Sequence, residues 1–332
     1  MNEYKKNHNN TDRFNMLPEL DTNRSQIKCL FVGLDNGGKT SLLLTLEKKF
    51  LKIILNKPTK QIAISNFQVL GIPMKIWDMG GQKADRKEYL SKFQYFEGTK
   101  LLFYVIDIQD RDRFDAALDY FEAIINNFVF LELHPKIIVI LHKCDPDFKD
   151  SIQGNKNIYE IKHYLSNNPN TKDFPVYQSS VFNTEEFHRI FIQAVFKTHP
   201  GGYKVQELLT QFMKDIEAEA ALIIDENLLI IAEASSNKKN LPLCRICGKN
   251  LTNMARESFE LNGIIPERIG IELEGLIFFK HVPYLQTRFY LIFQTKKSQS
   301  LKELAILLPK FLNDLSNAIG STVQSENRTP IL

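Results

Sequence analysis

Cysteine is scarce in this chain of 332 residues. Four cysteines, at 29, 144, 244 and 247, are too few and too scattered for a disulfide framework, so a reducing, cytoplasmic compartment is expected. No apolar run approaches the roughly 18 residues of a membrane span. The best, Leu101 to Ile106, is stopped by Asp107. Charge of one sign is also missing: 42 Lys and Arg face 39 Asp and Glu, and the net +3 gives no broad field for holding nucleic acid, so no nucleic-acid partner is expected. The polar beginning, MNEYKKNHNNTDRF, lacks the apolar stretch of a signal peptide, and Asn2 stands where N-myristoylation needs glycine. Membrane association is therefore expected only peripherally, through partners. What is present is the average of a folded globular protein, 43% hydrophobic and 24% charged. At about 150 residues per domain the length suggests two domains.

Residues 1–25 mix Asn, Lys, Asp and Arg without a sustained period and read as a flexible tail. From Ile27 onward, short apolar runs (Cys29 to Val32, Met74 to Trp77, Leu101 to Ile106, Ile137 to Leu141) alternate with helical spacings. That is the βαβ rhythm of a mostly parallel sheet in an α/β domain, placed at 26–202. The breaker cluster His199-Pro200-Gly201-Gly202 closes it. Residues 203–332 follow a different pattern. A helix carries Val205, Leu208, Leu209, Phe212, Met213 and Ile216, and two strands, Ala221 to Ile224 and Leu228 to Ala232, flank Asp225-Glu226-Asn227. Further strands are expected over Ile269 to Phe279 and Arg288 to Gln294. A last helix bears Leu301, Leu304, Ala305, Leu308, Phe311 and Leu312, which Pro309 is expected to kink or interrupt. The sum is a compact α+β domain, with a basic insertion at about 236–250.

The decisive segment is Gly33-Leu34-Asp35-Asn36-Gly37-Gly38-Lys39-Thr40. It fits G-x4-G-K-[ST], follows an apolar strand and opens the helical run from Ser41. In a P-loop the backbone N–H groups wrap a polyphosphate, and the helix start adds partial positive charge. Asp35, Asn36, Gly37, Gly38, Lys39, Thr40 and Ser41 are thus the candidate cradle. Lys39 reaches the β and γ phosphates, and the Thr40 hydroxyl ligates Mg²⁺. After the second strand, Trp77-Asp78-Met79-Gly80-Gly81-Gln82 places an acidic residue for Mg²⁺, the amide of Gly81 for the γ-phosphate, and Gln82 to orient an attacking water. Lys39 and Gln82 are the candidate catalytic pair. Between the motifs, the hydroxyl of Thr59 is placed to complete the metal shell with Thr40 and Asp78. His142-Lys143-Cys144-Asp145 ends the fourth run at the carboxyl edge of the sheet. Asp145 can accept from guanine N1 and N2, a donor pair that adenine lacks, so a carboxylate here selects GTP over ATP. The stem of Lys143 can lie across the base. Gln178-Ser179-Ser180-Val181 would bring the amides of Ser180 and Val181 to guanine O6.

The order P-loop, Thr, WDxGGQ, xKxD and SS resembles a small GTPase of the Ras superfamily over residues 26–200. GLDxxGKT, Pro58-Thr59, WDMGGQ and Arg86 resemble Arf-like GTPases. His142 in HKCD, Tyr104 to Asp107 and Tyr177 to Val181 more closely resemble Rag/Gtr GTPases. In the second half, Ala221 to Asp225 running into Leu228 to Ala232 resembles the opening hairpin of a roadblock domain, a longin-like α+β fold. This resemblance implies a homodimer or a heterodimer with a related GTPase through the C-terminal domain, GTPase-activating and exchange factors as partners, and GTP or GDP with Mg²⁺ as ligands. The expected function is a slow GTP-hydrolysing switch whose loops are ordered by the γ-phosphate. The alternative is a nucleotide-bound structural subunit that does not cycle.

Cys244-Arg245-Ile246-Cys247-Gly248 has the C-x2-C spacing of half a zinc site, to be completed by a second copy or by His281. The alternative is an exposed loop with two unligated thiols or a redox pair. No arginine can be assigned to supply transition-state charge from the sequence; Arg86 and Arg111 are candidates by proximity alone.

Overall fold

The computed structural model describes residues 26–46, 59, 61–199, 201–272, 275–284, 287–296 and 300–318. The tail expected at 1–25 lies outside them.

The first half begins with β1 (Ile27–Gly33) and α1 (Lys39–Leu46), followed by β2 (Ile62–Val69), β3 (Ile72–Met79) and α2 (Lys83–Ser91). It continues through β4 (Thr99–Asp107), α3 (Phe114–Phe130), β5 (Lys136–His142), the short α4 (Pro146–Lys149), α5 (Ile152–Asn167), β6 (Val176–Gln178) and α6 (Thr184–Thr198). The strands form one six-stranded sheet in the order β2-β3-β1-β4-β5-β6. Only β2 runs antiparallel to its neighbour.

Residues of the central strands alternate between two apolar clusters because successive side chains leave opposite faces. Cys29, Phe31, Leu101, Phe103, Val105, Ile138 and Ile140 join one cluster with Leu42 and Leu46 of α1 and Phe187, Ile190 and Phe191 of α6. Leu30, Val32, Leu102, Tyr104, Ile106, Val139 and Leu141 join the other with Phe114, Phe121 and Ile124 of α3 and Ile158 and Ile161 of α5. Burial on both faces is why these strands are apolar runs. It also lines up the strand ends at one edge, where the loops 33–39, 79–83, 107–113 and 142–146 emerge. The sequence pattern missed β2, whose first five residues are half-buried or exposed, because an edge strand needs no continuous apolar run.

The second half consists of α7 (Gly202–Asp215), β7 (Ala220–Asp225), β8 (Ile230–Ser235), α8 (Leu241–Asn262), β9 (Arg268–Glu272), β10 (Leu276–Tyr284), β11 (Thr287–Thr295) and α9 (Ser300–Ala318). Its sheet is antiparallel throughout, in the order β8-β7-β11-β10-β9. Ala220, Leu222, Ile224, Phe279, Tyr290 and Ile292 face α8. Ala221, Ile223, Leu291 and Phe293 face the other way and cluster with Phe212 of α7 and Phe311 of α9, whose rings stack with centroids 4.4 Å apart. That same cluster continues into α6 and the first sheet, so one apolar core joins the two sheets.

Three expectations change here. The run from Ile269 to Phe279 is two antiparallel strands, β9 and β10, rather than one. The α9 helix passes through Pro309 without a break. A proline inside a helix costs about 3 kcal/mol, and the burial of Phe311 and Leu315, with Leu304, Leu307, Leu308 and Leu312 packed beside them, offsets that cost. The expected insertion is no exposed loop. A short turn at Lys238–Asn240, in which the side chain of Asn237 accepts from the Lys239 amide at 3.0 Å, leads straight into α8. Gly248 lets that helix sit against the sheet: a Cβ there would lie 2.9 Å from Ile224 Cδ1.

Candidate functional site

β1 ends at Gly33 and α1 begins at Lys39, so the phosphate-loop motif is the turn between them. Asn36 (φ 59°) and Gly38 (φ 85°) both take the left-handed backbone that turns the chain. Gly38 also has no room for a side chain, since a Cβ would come within 2.3 Å of the His142 ring. Lys39 is 5% exposed, and its Nζ donates to the carbonyls of Gly33 (3.1 Å) and Leu34 (2.8 Å) inside the loop. Burial lowers its pKa to about 8, against the opposing pull of the Asp78 and Asp35 carboxylates.

Three oxygens meet beside it. Thr40 Oγ1 donates to Asp78 Oδ2 at 2.5 Å, Thr59 Oγ1 donates to the same oxygen at 3.2 Å, and the two hydroxyls are 2.8 Å apart. They come from α1, from the connection before β2 and from the end of β3. Burial raises the Asp78 pKa, while the Thr40 hydrogen bond and the Lys39 charge oppose it. Asp78 Oδ1 is buried with no hydrogen-bond partner. Two hydroxyls and an incompletely satisfied carboxylate form an all-oxygen set that fits a hard divalent cation such as Mg²⁺.

The segment after Asp78 closes over the loop. The carbonyl of Gly81 accepts from the Asp35 N–H (3.0 Å) and from Arg86 Nε (2.9 Å). Gln82 is exposed at the start of α2 and makes no side-chain capping bond. Arg113, from the loop after β4, donates Nη1 to the Asp35 carbonyl at 3.1 Å and ion-pairs with the Asp35 carboxylate.

The base-recognition candidates gather at the neighbouring strand ends. His142 Nδ1 lies 2.9 Å from Ser179 Oγ, and burial lowers the His142 pKa to about 4. The ring is therefore neutral and touches the phosphate loop on one side and the 178–181 loop on the other. Lys143 Nζ pairs with Asp107 Oδ2 at 2.7 Å. Asp145 Oδ1 accepts from Ser180 Oγ at 2.5 Å, and the Cys144 N–H donates to the Ser179 carbonyl at 3.0 Å. Val181 is half-buried beside Ser180.

All the candidate nucleotide residues thus lie along one edge of the first sheet. The cysteine pair does not belong with them, and within the chain the described residues do not complete it as a metal site. Cys244 and Cys247 are three apart on α8, and Cys244 is buried against the second sheet with its thiol pushed up to about 12 by that burial. Among the described residues no three His, Cys, Asp or Glu side chains come together to hold a metal, so neither His281 nor any other described residue of the same chain completes the pair. Arg111 pairs with Glu160 at 2.7 Å. Sequence reasoning named neither Gln109 nor Arg113, which flank Arg111 in the loop after β4 and match no motif.

Residues 14–192, over half of the chain, match the ADP-ribosylation factor family, Arf. The chain is similar to ADP-ribosylation factor 3 of Arabidopsis thaliana and to ADP-ribosylation factor 1 of Brassica rapa subsp. pekinensis. Each is 33% identical over 100 residues, which cover 30% of this chain and 52% of the relative. ADP-ribosylation factor-like protein 3 of Chlamydomonas reinhardtii is 36% identical over 98 residues, with the same shares covered. The chain spans about half the length of these curated relatives. The family match ends within α6, before the second sheet begins.

Proposed function

This chain belongs to the ADP-ribosylation factor family of small GTPases, and on that premise we propose that it is a slow GTP-hydrolysing switch selective for guanine nucleotides. The observation that carries the proposal is the convergence of Thr40, Thr59 and Asp78 within 3.2 Å, beside the buried Lys39. Three separate segments bring ligating oxygens to the mouth of a phosphate loop. Mg²⁺ held by Thr40, Thr59 and Asp78 would neutralise charge on the phosphate oxygens.

The chain's own residues do the rest. Lys39 is charged at neutral pH but poorly solvated, so a β or γ phosphate oxygen is a better partner than the two carbonyls it now binds. Gly81, held close to the phosphate loop through Asp35, would present its backbone to the γ-phosphate. Gln82, exposed and unengaged as a cap, orients the attacking water. Asp145 accepts from guanine N1 and N2, and the amides of Ser180 and Val181 face O6.

Slowness follows from where the arginines are. Arg86 holds a carbonyl, Arg113 holds Asp35 and Arg111 holds Glu160, so none of these three is available to stabilise charge on the transferring phosphoryl group. An activating partner that supplies such a charge accelerates these reactions roughly a thousandfold or more. A nucleotide gripped at both ends also leaves slowly, which calls for an exchange factor.

We further propose that the second half, read as a roadblock-like domain of Rag/Gtr type, is the assembly half, forming a homodimer or pairing with a related GTPase. Supporting this, α8 turns Ile246, Met254 and Leu261 to the surface, the last 86% exposed. Light scattering on the full chain tests it: a monomer at micromolar concentration with no GTPase partner recovered counts against it. The switch itself is tested by identifying the nucleotide released from denatured protein and following a single turnover of GTP. About one guanine nucleotide per chain with slow conversion to GDP is expected. Retained GTP without turnover would instead identify a structural subunit, and a preference for ATP would overturn the base assignment.

A further inference from the structure

Asp145 is held on both oxygens. While Ser180 donates to Oδ1, Gln109 Nε2 donates to Oδ2 at 3.0 Å and to the carbonyl of Lys143 at 2.9 Å. Both partners of Gln109 are pure acceptors, so the amide nitrogen must be the atom facing them. The rest of the loop after β4 is fixed in the same direction. Asp107 Oδ1 accepts from the Gln109 N–H at 3.0 Å, Asp107 Oδ2 takes Lys143 Nζ at 2.7 Å, and the Ile108 N–H donates to the His142 carbonyl at 3.0 Å. Lys143 itself has a left-handed backbone (φ 61°), a conformation that is unfavourable for a residue with a Cβ. Its carbonyl is one of the two groups Gln109 holds.

We infer that Gln109 is a positioning residue for guanine recognition: its amide sets the rotamer of Asp145 and the Lys143 peptide so that the carboxylate is aimed before a nucleotide arrives. This rests on the guanine-nucleotide reading of the site. A carboxylate has about four lone-pair sites. Gln109 and Ser180 use two, and the remaining two match the N1 and N2 donors of guanine. Without the amide, Asp145 is held through Oδ1 by Ser180 alone, and its Oδ2 must be ordered at each binding event, which costs side-chain entropy and weakens the second of the two base bonds most. Preorganisation of this kind adds affinity without adding a contact to the ligand.

The test compares GDP with inosine diphosphate, which lacks the N2 amino group, on the full chain in Mg²⁺. Gln109 is exposed and the variants are expected to keep the wild-type melting temperature. In Gln109→Ala the GDP affinity should fall about fivefold, a hydrogen bond to a charged acceptor being the interaction removed. The ratio of GDP to inosine diphosphate affinity should fall about threefold or more, because the loss is concentrated on the N2 bond. In Gln109→Glu a second carboxylate beside Asp145 should weaken GDP further, the more so at low salt. A purely structural role would weaken both nucleotides alike and leave the ratio unchanged, which overturns the inference while guanine preference stands. A wild-type protein that does not prefer GDP to adenosine diphosphate overturns both.

Discussion

The backbone N–H of Asp35 donates to the carbonyl of Gly81 at 3.0 Å, joining the phosphate loop to the segment after β3 main chain to main chain. The approach is close enough that a Cβ on Gly81 would fall 2.0 Å from the Asp35 nitrogen and 2.2 Å from the Leu34 carbonyl carbon. Backbone cannot yield there as a flexible side chain would. Gly81→Ala is therefore expected to hold residues 80–82 off the loop, lowering single-turnover GTP hydrolysis at least about tenfold while nucleotide remains bound. Quench-flow hydrolysis beside nucleotide content of the same sample checks this.

Asp145→Asn places an amide donor against a guanine donor. Losing a charge-assisted pair of bonds costs on the order of 3 kcal/mol, a hundredfold or more in GTP affinity, with xanthine nucleotides gaining. Equal GTP affinity in mutant and wild type, by calorimetry or fluorescent-nucleotide competition, would remove Asp145 from the base site.

Chemistry and binding separate at two other residues. Gln82→Leu keeps the bulk and removes the group that orients water, so GTP binding is expected to persist while hydrolysis of bound GTP drops about a hundredfold. Lys39→Ala should instead abolish tight binding. Because the lysine titrates near pH 8 when buried, phosphate binding above that pH should be accompanied by proton uptake, seen as a buffer-dependent binding enthalpy. Hydrolysis in Gln82→Leu at the wild-type rate points to a different water-orienting group.

Asp225 gives the second half a pH dependence. Burial lifts its pKa to about 7, although the Leu229 (2.8 Å) and Asn227 (3.0 Å) amides donate to its carboxylate. For an acid whose folded pKa lies above its unfolded value, the folded state binds more protons between the two. The associated stability is present at low pH and is lost as pH rises through about 7. Asp225→Asn keeps an oxygen for both amides and removes the titration. Across pH 4 to 8 the wild type should lose a few kcal/mol relative to this variant, read as the difference between their urea midpoints. Parallel profiles would mean that the carboxylate is charged in the fold at all these pH values.

Cys244 is expected to behave as a small core residue. Cys244→Ser puts a hydroxyl among Leu222, Ile224 and Ile292 and should cost about 1–3 kcal/mol of stability. Cys247→Ser, half-buried, should cost less than about 1 kcal/mol. Neither change should alter the zinc content of protein purified without chelator. Zinc at half an ion per chain that disappears in both variants would reinstate a shared metal site.

Local signals determined the candidate nucleotide end of this protein. G-x4-G-K-T, DMGGQ and HKCD are each contiguous, and each follows an apolar strand, so chain order alone placed them at one sheet edge. Strands buried on both faces are apolar runs, and the runs carried the sheet with them. Other features depended on groups far apart in sequence. The edge strand β2 has too few buried residues to show a period. The Cys244 pair lies in a segment expected as a basic insertion, and only the packing of α8 on the second sheet made it a helix. Pro309 breaks a helix by its local chemistry, and the buried face around Phe311 overrides that. The joining of Thr40 to Thr59 and Asp78, of Arg113 to Asp35 and of Gln109 to Asp145 needs β1, β3, β4 and β5 side by side. Parallel pairing, which the sequence implies but does not register, puts those strand ends within hydrogen-bonding distance.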